Sequence, residues 1–294
     1  MEMTSNGGAE AKLKCAAVVV LYFPGEETLQ NILSWAGQVS RIYAIDNSEP
    51  PANNFAMSLS TVENLEYLPQ GENKGVATAL NIGARLAIRH GFSWLLTMDQ
   101  DSRANPGHVK SLLEALKNQE IQTVGILAPF PLLRSNMGYN VSGCNEVNLV
   151  ITSGSLLNLQ MYLSVGPFLD ELFIDYVDNE YCLRLKLHGY KIIQCNDVKL
   201  MHNLGDIRTY RYLGRTIYNS NHSWIRRYYI TRNRLFVMNK YKKFFPDICA
   251  EMLREFRGEI KGIILFEEDK IRKLIMIVRG WMDYLRRKMG RFRG

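Results

Sequence analysis

Asp99-Gln100-Asp101 sets two carboxylates two residues apart, directly after the apolar run Phe92 to Met98. In extended backbone, side chains two apart point the same way. Two adjacent carboxylates repel each other unless a cation lies between or beside them. A hard divalent ion that prefers oxygen ligands, Mg2+ or Mn2+, is the natural partner for such a pair. Asp46 and Asn73 also fall just past apolar runs, at Arg41 to Ile45 and Asn64 to Leu68. Asp and Asn favour turns and helix caps, so each of these residues alone has an ordinary reading. Their shared position past the ends of apolar runs is what points to a site.

That position follows from the elements that carry them. Cys15 to Phe23 is continuous and β-branched, as expected of a strand buried on both faces. A helix is expected over Glu26 to Ala36, then strands at Arg41 to Ile45 and Asn64 to Leu68. Asn73-Lys74-Gly75 opens a second helix, Phe92 to Met98 is a strand, and Pro106 starts a helix running to about Lys117. Alternating strands and helices predict an α/β fold with a mostly parallel sheet covered by helices. In such sheets ligands bind outside the carboxyl ends of the strands, which brings Asp46, Asn73, Asp99 and Asp101 to one edge. Further on, Val147 to Ser153 reads as a strand, and Phe168 to Ile174 as an apolar stretch broken by acids. Asp178 to His188 reads as a helix stopped by Gly189, and Lys191 to Asn196 as another strand. Beyond Met201-His202 basic-aromatic helical segments take over. The expected organisation is a flexible N-terminus (1–14), a catalytic domain (15–205) and a helical C-terminal region (206–294).

The motifs AIDNS (Ala44 to Ser48), NKGVATALNIG (Asn73 to Gly83), LLTMDQDS (Leu95 to Ser102), GSLLN (Gly154 to Asn158) and DYVDNEYCLRL (Asp175 to Leu185) follow Phe23-Pro24 in order. Together they resemble the family 2 glycosyltransferases, whose GT-A fold is Rossmann-like, over roughly residues 15 to 240. Within that family they look most like bacterial rhamnosyltransferases, whose D-x-D is typically DQDS. The resemblance implies that Asp46 meets the base or ribose of the nucleotide. It places Asn73 and Gly75 beside the nucleotide, where a glycine permits close backbone approach. Asp101 matches the metal ligand, and Asp99 faces the ribose or the metal's water. Asp178 matches the second letter of the family's Glu-Asp pair, the catalytic base. Val177 stands where the Glu would be, and Asp175 and Glu180 are near enough to remain alternatives. Arg184 matches an ion-pair partner. His202 is a candidate further metal or phosphate ligand. The segment Trp224 to Asn233 offers Arg232 or Arg227 for bidentate contact with the diphosphate.

The resemblance implies an inverting transfer of L-rhamnose from dTDP-L-rhamnose to a surface polysaccharide or a polyprenyl-diphosphate-linked glycan, with Mn2+ or Mg2+ as cofactor. A UDP-hexose or UDP-galactofuranose donor is the nearest rival. A nucleotidyltransferase would show a Gly-rich basic loop after the first strand, which Tyr22-Phe23-Pro24-Gly25-Glu26 lacks. A non-catalytic nucleotide-sugar-binding protein is a third reading.

Composition narrows the partners. The chain has 294 residues, 36 Lys+Arg and 29 Asp+Glu, hence a formal charge of +7. Residues 279 to 294 hold six bases and one acid, a net +5 that leaves only +2 for everything before them. A nearly balanced body gives no basic groove for nucleic acid. The five cysteines are scattered without a C-x-x-C pair, as expected of reduced residues in a cytosolic protein. The apolar runs Ala16 to Phe23 and Leu274 to Val278 are far short of a membrane span. Met1 to Lys14 lacks a secretory pattern. Ile271, Leu274, Ile275, Val278, Trp281, Met282, Leu285 and Met289 recur at helical spacing, making one apolar face beside a basic one. Such a helix docks on the body, on a second subunit in a homodimer, or on the inner face of the cytoplasmic membrane.

Overall fold

The computed structural model describes residues 14–132, 142–202, 208–212 and 215–294. The elements in chain order are β1 (Cys15–Leu21), α1 (Glu26–Ala36), β2 (Arg41–Asp46), α2 (Asn53–Leu59), β3 (Leu65–Pro69), α3 (Val76–Arg89), β4 (Trp94–Asp99), β5 (Ser102–Ala104), α4 (His108–Ala115) and β6 (Val124–Leu132). They continue with β7 (Cys144–Glu146), β8 (Ser155–Asn158), α5 (Leu159–Val165), α6 (Val177–Leu187), β9 (Lys191–His202), β10 (Arg208–Tyr212), β11 (Arg215–Asn219), α7 (Trp224–Tyr241), α8 (Pro246–Phe266) and α9 (Lys270–Leu285).

Among the described residues the main sheet runs β3-β2-β1-β4-β8-β6-β9-β5, with β7 also paired to β9. Strands β3, β2, β1 and β4 are mutually parallel, as the alternating sequence requires. The second half is mixed: β8 runs antiparallel to both β4 and β6, and β5 and β7 run antiparallel to β9. All of β1 is buried. Its alternate side chains feed two cores: Ala17, Val19 and Leu21 pack with Trp35 and Leu112 on one face, while Ala16 and Val18 pack with Leu80, Ala84 and Tyr181 on the other. The helices α1 and α4 therefore cover one face, and α3, α5 and α6 the other. The small residues of α3 let it lie against β1: a Cβ on Gly83 would fall 2.4 Å from a methyl of Val18.

Several expectations shift. The strand expected at Val147 to Ser153 is displaced to β8, because that segment instead supplies the turn whose Gly154 N–H donates to Thr97 O. Phe168 to Ile174 holds a single 3-10 turn at Asp170–Leu172. The C-terminal region opens with the hairpin β10–β11, rich in Thr and Tyr, before three helices follow. Residues 1–13 of the expected flexible N-terminus lie outside the described residues.

The three C-terminal helices are tied to one another through buried charge. Arg227 of α7 donates to Glu259 of α8 at 3.1 Å and to Glu267 at 2.6 Å, while Lys273 of α9 meets Glu267 at 2.7 Å and Asn221 at 2.8 Å. Helices α7 and α9 touch backbone to backbone, since a Cβ on Gly280 would lie 2.6 Å from Tyr228 O.

Candidate active site

The parallel half of the sheet delivers Asp99 to its carboxyl edge beside the end of β1, where Asp99 pairs in register with Val20. The Asp99 N–H donates to Ser153 Oγ at 3.1 Å, and that hydroxyl donates to Ser102 Oγ at 2.8 Å. Gln100 clamps the chain leaving β1. It accepts from Tyr22 N at 2.8 Å and donates to Tyr22 O at 3.1 Å, while its own carbonyl accepts from Asn31 Nδ2 at 3.0 Å. The middle residue of the D-x-D pair thus fixes the turn that presents both carboxylates.

Asp99 and Asp101 line an open cavity of about 550 Å³ with Tyr22, Asp175, Asp178, His222, Arg226 and Arg234. Asp178 stands in the first turn of α6, half-buried, and accepts its neighbour's N–H from Asn179 at 2.8 Å. Burial pushes its carboxyl up to about 6, opposed by the Asn179 N–H and reinforced by the negative charge of Asp175 and Asp99. Asp175 forms an ion pair with Arg226. Glu180 is fully buried and held by Arg184, Lys240 and Tyr241 at 2.8 Å each, which removes it from the alternatives for the cavity's base. Arg184 has the ion-pair role expected of it.

The structure brings Asp99, Asp101 and Asp178 together and sets Asp46, Asn73, Gly75 and Arg232 apart from the cavity wall. Asp46 is wholly buried and accepts from Ser48 N at 2.8 Å, Ala52 N at 2.9 Å and the Tyr67 hydroxyl at 2.5 Å. Burial works to raise its carboxyl, but the hydrogen bonds from Ser48, Tyr67 and Ala52 outweigh it and leave the pKa lowered. It shapes the loop after β2. Asn73 Oδ1 accepts from Gly75 N at 2.9 Å, and Asn73 N donates to Glu49. Gly75 has φ +84°, and a Cβ there would lie 2.6 Å from the Phe173 carbonyl and ring. The close approach that needs a glycine is thus to the protein's own chain. Arg232, expected at the diphosphate, is buried and spends its donors on Gly290 O (2.7 Å), Leu172 O (3.3 Å) and Glu171 O (3.4 Å). Arg227 is buried among Glu259 and Glu267. The residues of α7 that face the cavity are Arg226, Ile230 and Arg234, four apart on one helix face. Their four-residue spacing, from Arg226 within WIRRYYITRN to Arg234 just past it, is the available signal, and Asp175, an alternative base by sequence, shares the cavity with Asp178. His202 ends β9, opposite Ser102 in register; its side chain lies outside the described residues.

No three His, Cys, Asp or Glu side chains gather as a metal site among the described residues. Two cavity-facing carboxylates nevertheless fit a divalent ion of the kind that takes one or two protein carboxylates and completes its shell with substrate phosphates and water.

Residues 26–131 match the family model described as Glycosyl transferase family 2. That matched segment, from α1 into β6, carries the D-x-D turn, and the chain is a glycosyltransferase on a GT-A type of α/β fold. It is 29% identical over 76% of its length, and 79% of the relative's, to dTDP-rhamnosyl transferase RfbF of Shigella flexneri. Its fold is similar to that of S. aureus TarS 1-349, with a TM-score of 0.60 at 13% identity, covering 92% of this chain and 80% of that one. It is also similar to GalNAc-T7 solved with UDP, GalNAc and Mn2+, with a TM-score of 0.54 at 13% identity over 69% of this chain; there it spans only 44% of the other chain.

Proposed function

We propose that the protein is a metal-dependent, inverting rhamnosyltransferase that uses dTDP-L-rhamnose and acts on a saccharide acceptor, either a growing surface polysaccharide or a lipid-linked glycan. The observation that carries this reading is the convergence of Asp99, Asp101 and Asp178 on one cavity. The donor is supported by the similarity to a protein named as a dTDP-rhamnosyl transferase.

Asp178 takes the proton of the acceptor hydroxyl as that oxygen attacks the anomeric carbon, and the bond from that carbon to the diphosphate oxygen breaks in the same in-line displacement. A carboxyl held near 6 is ionised at neutral pH, yet more basic than an exposed aspartate. Asp101 and Asp99, with His202 as a candidate third ligand, would hold Mn2+ or Mg2+, which when bound offsets the charge gathering on the departing diphosphate. Arg226 and Arg234 add positive charge to the same wall. Asp46, Asn73 and Gly75 shape the loops beside the nucleotide rather than wall the cavity.

A UDP-sugar is the second reading, favoured by the fold likeness to GalNAc-T7, whose structure holds UDP. Thermal-shift measurements with dTDP and UDP, each with Mn2+, separate the two. Greater protection by dTDP is expected, and protection by UDP alone would reassign the donor.

The reading extends to the cytoplasmic face of the membrane. Among the described residues no helix is long and apolar enough to cross a bilayer. Helix α9 nonetheless buries Lys273, Met276, Ile277, Gly280 and Asp283 and leaves Ile271, Ile275, Val278, Trp281 and Leu285 exposed. Arg272, Arg279 and Arg286 recur every seven residues along one flank of that stripe. An apolar face edged by cations suits an anionic lipid surface, where a lipid-linked acceptor would be found.

A further inference from the structure

The turn that delivers Asp178 to the cavity is backbone in an unfavourable conformation. Phe173, Asp175 and Tyr176 all have positive φ, at 66°, 61° and 65°. Non-glycine residues hold such angles only where the surroundings over-determine them. The backbone carbonyls of the turn converge on one side chain. Asn233, wholly buried in α7, donates through Nδ2 to Leu172 O at 2.8 Å, Ile174 O at 2.8 Å and Asp175 O at 2.9 Å. Its Oδ1 accepts from Arg232 Nε at 3.0 Å, which sets which end of the amide faces the carbonyls. Arg232 adds its own donors to Leu172 O and Glu171 O.

We propose that Asn233 is the positioning residue of the acceptor-activating carboxylate: by tying three carbonyls of the left-handed turn to α7, it fixes Asp175 and Asp178 against the cavity. This rests on Asp178 acting as the base. Asn233 itself does not line the cavity. Three converging carbonyl oxygens require a donor at that point, and an amide supplies two hydrogens where a carboxylate supplies none. Replacing the donor by a carboxylate opens the turn and moves Asp178 off the line of attack, while Asp99 and Asp101, carried by β4 and the turn that follows it, keep their places. The loss belongs in turnover, not in nucleotide affinity.

The test compares Asn233→Asp, Asn233→Ser, Asp178→Asn and Val237→Ala with the parent protein. Rates of dTDP release from dTDP-L-rhamnose with Mn2+ are divided by the number of dTDP sites titrated calorimetrically, so that unfolded protein does not count. Misplacing a reacting group by about 1 Å costs on the order of 100-fold. Asn233→Asp is therefore expected to lose about 100-fold in kcat per site, with KM for the donor and dTDP affinity unchanged within about threefold. Asn233→Ser, which keeps one hydroxyl donor, is expected to lose less. Val237→Ala cuts a cavity in the same helix without removing a hydrogen bond to the turn, and is expected to lower the melting temperature and leave kcat per site intact. If Asn233→Asp binds no dTDP at all, the Ser variant decides. Parental kcat per site in the Asn233 variants, or an equal loss in Val237→Ala, overturns the proposal. Parental activity in Asp178→Asn overturns the base assignment instead, so the two failures are distinguishable.

Discussion

The base role proposed for Asp178 pairs a catalytic demand with a cost in stability. Its carboxyl sits at about 6 in the folded chain against an ordinary value of 3.8. The raised value means the folded state binds this proton more tightly than the unfolded one. The ionised side chain therefore weakens the fold progressively as pH rises from about 4 to 6, by about 3 kcal/mol at most once fully charged. Asp178→Asn is expected to raise the melting temperature at pH 7.5 in the absence of divalent ions, and the gain should vanish near pH 4. Equal stabilisation at both pH values would show that burial of the charge is not the cause. For turnover the sign is reversed: the base must be ionised, so the rate is expected to fall tenfold per unit as pH drops below about 6. Gly75 gives a second prediction at this scale. A side chain there meets the Phe173 carbonyl at 2.6 Å as well as an unfavourable φ. Gly75→Ala is expected to cost about 1–3 kcal/mol in denaturant unfolding.

At the scale of elements, the carboxylates were legible in the sequence because the parallel-strand rule carries Asp46 and Asp99 to one edge whatever their separation along the chain. The order β1–β4 follows the same rule. The strands β6 and β8 were not legible. β6 carries Pro129 and Pro131, which weaken a strand pattern, and β8 is a four-residue piece whose pairing with β4 and β6 is set by tertiary contacts rather than local pattern. The arginines of α7 show a different limit. Residue types marked the segment as functional, but only the helix phase distinguishes Arg226 and Arg234 on the cavity from Arg227 and Arg232 buried behind it. The roles of Gly75 and Asn233 were equally invisible, because both depend on the turn at Phe173 to Tyr176, close to neither in sequence. The exposed stripe of α9 yields its own test. Ile275→Glu with Trp281→Glu is expected to abolish sedimentation with vesicles rich in anionic phospholipid and to leave the melting temperature unchanged, since both side chains are at least half exposed. Undiminished vesicle binding would refute the lipid reading, and a change from dimer to monomer would assign the stripe to a second subunit.

Over the whole molecule, the basic C-terminus proves to be partly internal. Arg279 pairs with Asp283, and Arg291 makes a bidentate pair with Glu49 at 2.7 and 2.8 Å, in the loop that also receives Asn73 N. Gly290 N donates to Glu171 O at 2.7 Å, and Phe292 N to the Tyr229 hydroxyl at 2.7 Å. The last residues thus cross from α9 to the loop after β2 and to the turn before α6. Arg286, Arg287, Lys288 and Arg293 remain exposed beside the apolar stripe. Removing 271–294 would strip Lys273 from Glu267 and Asp283 from Tyr228, so deletion is expected to unfold the helical region rather than to report on lipid. Arg291→Ala is the sharper probe: it should weaken dTDP binding several-fold while leaving vesicle binding intact, as measured by calorimetry and sedimentation on the same preparation.

The measurement that bears most directly on the catalytic assignment is dTDP release from dTDP-L-rhamnose by the parent protein and by Asp178→Asn, each with Mn2+ and with chelator. Cation-dependent release by the parent is expected, with a loss of at least about 100-fold in Asp178→Asn while dTDP still binds. Release that persists in the variant, or proceeds equally well with chelator, would contradict a cavity in which Asp178 takes the proton and Asp99 and Asp101 hold the ion.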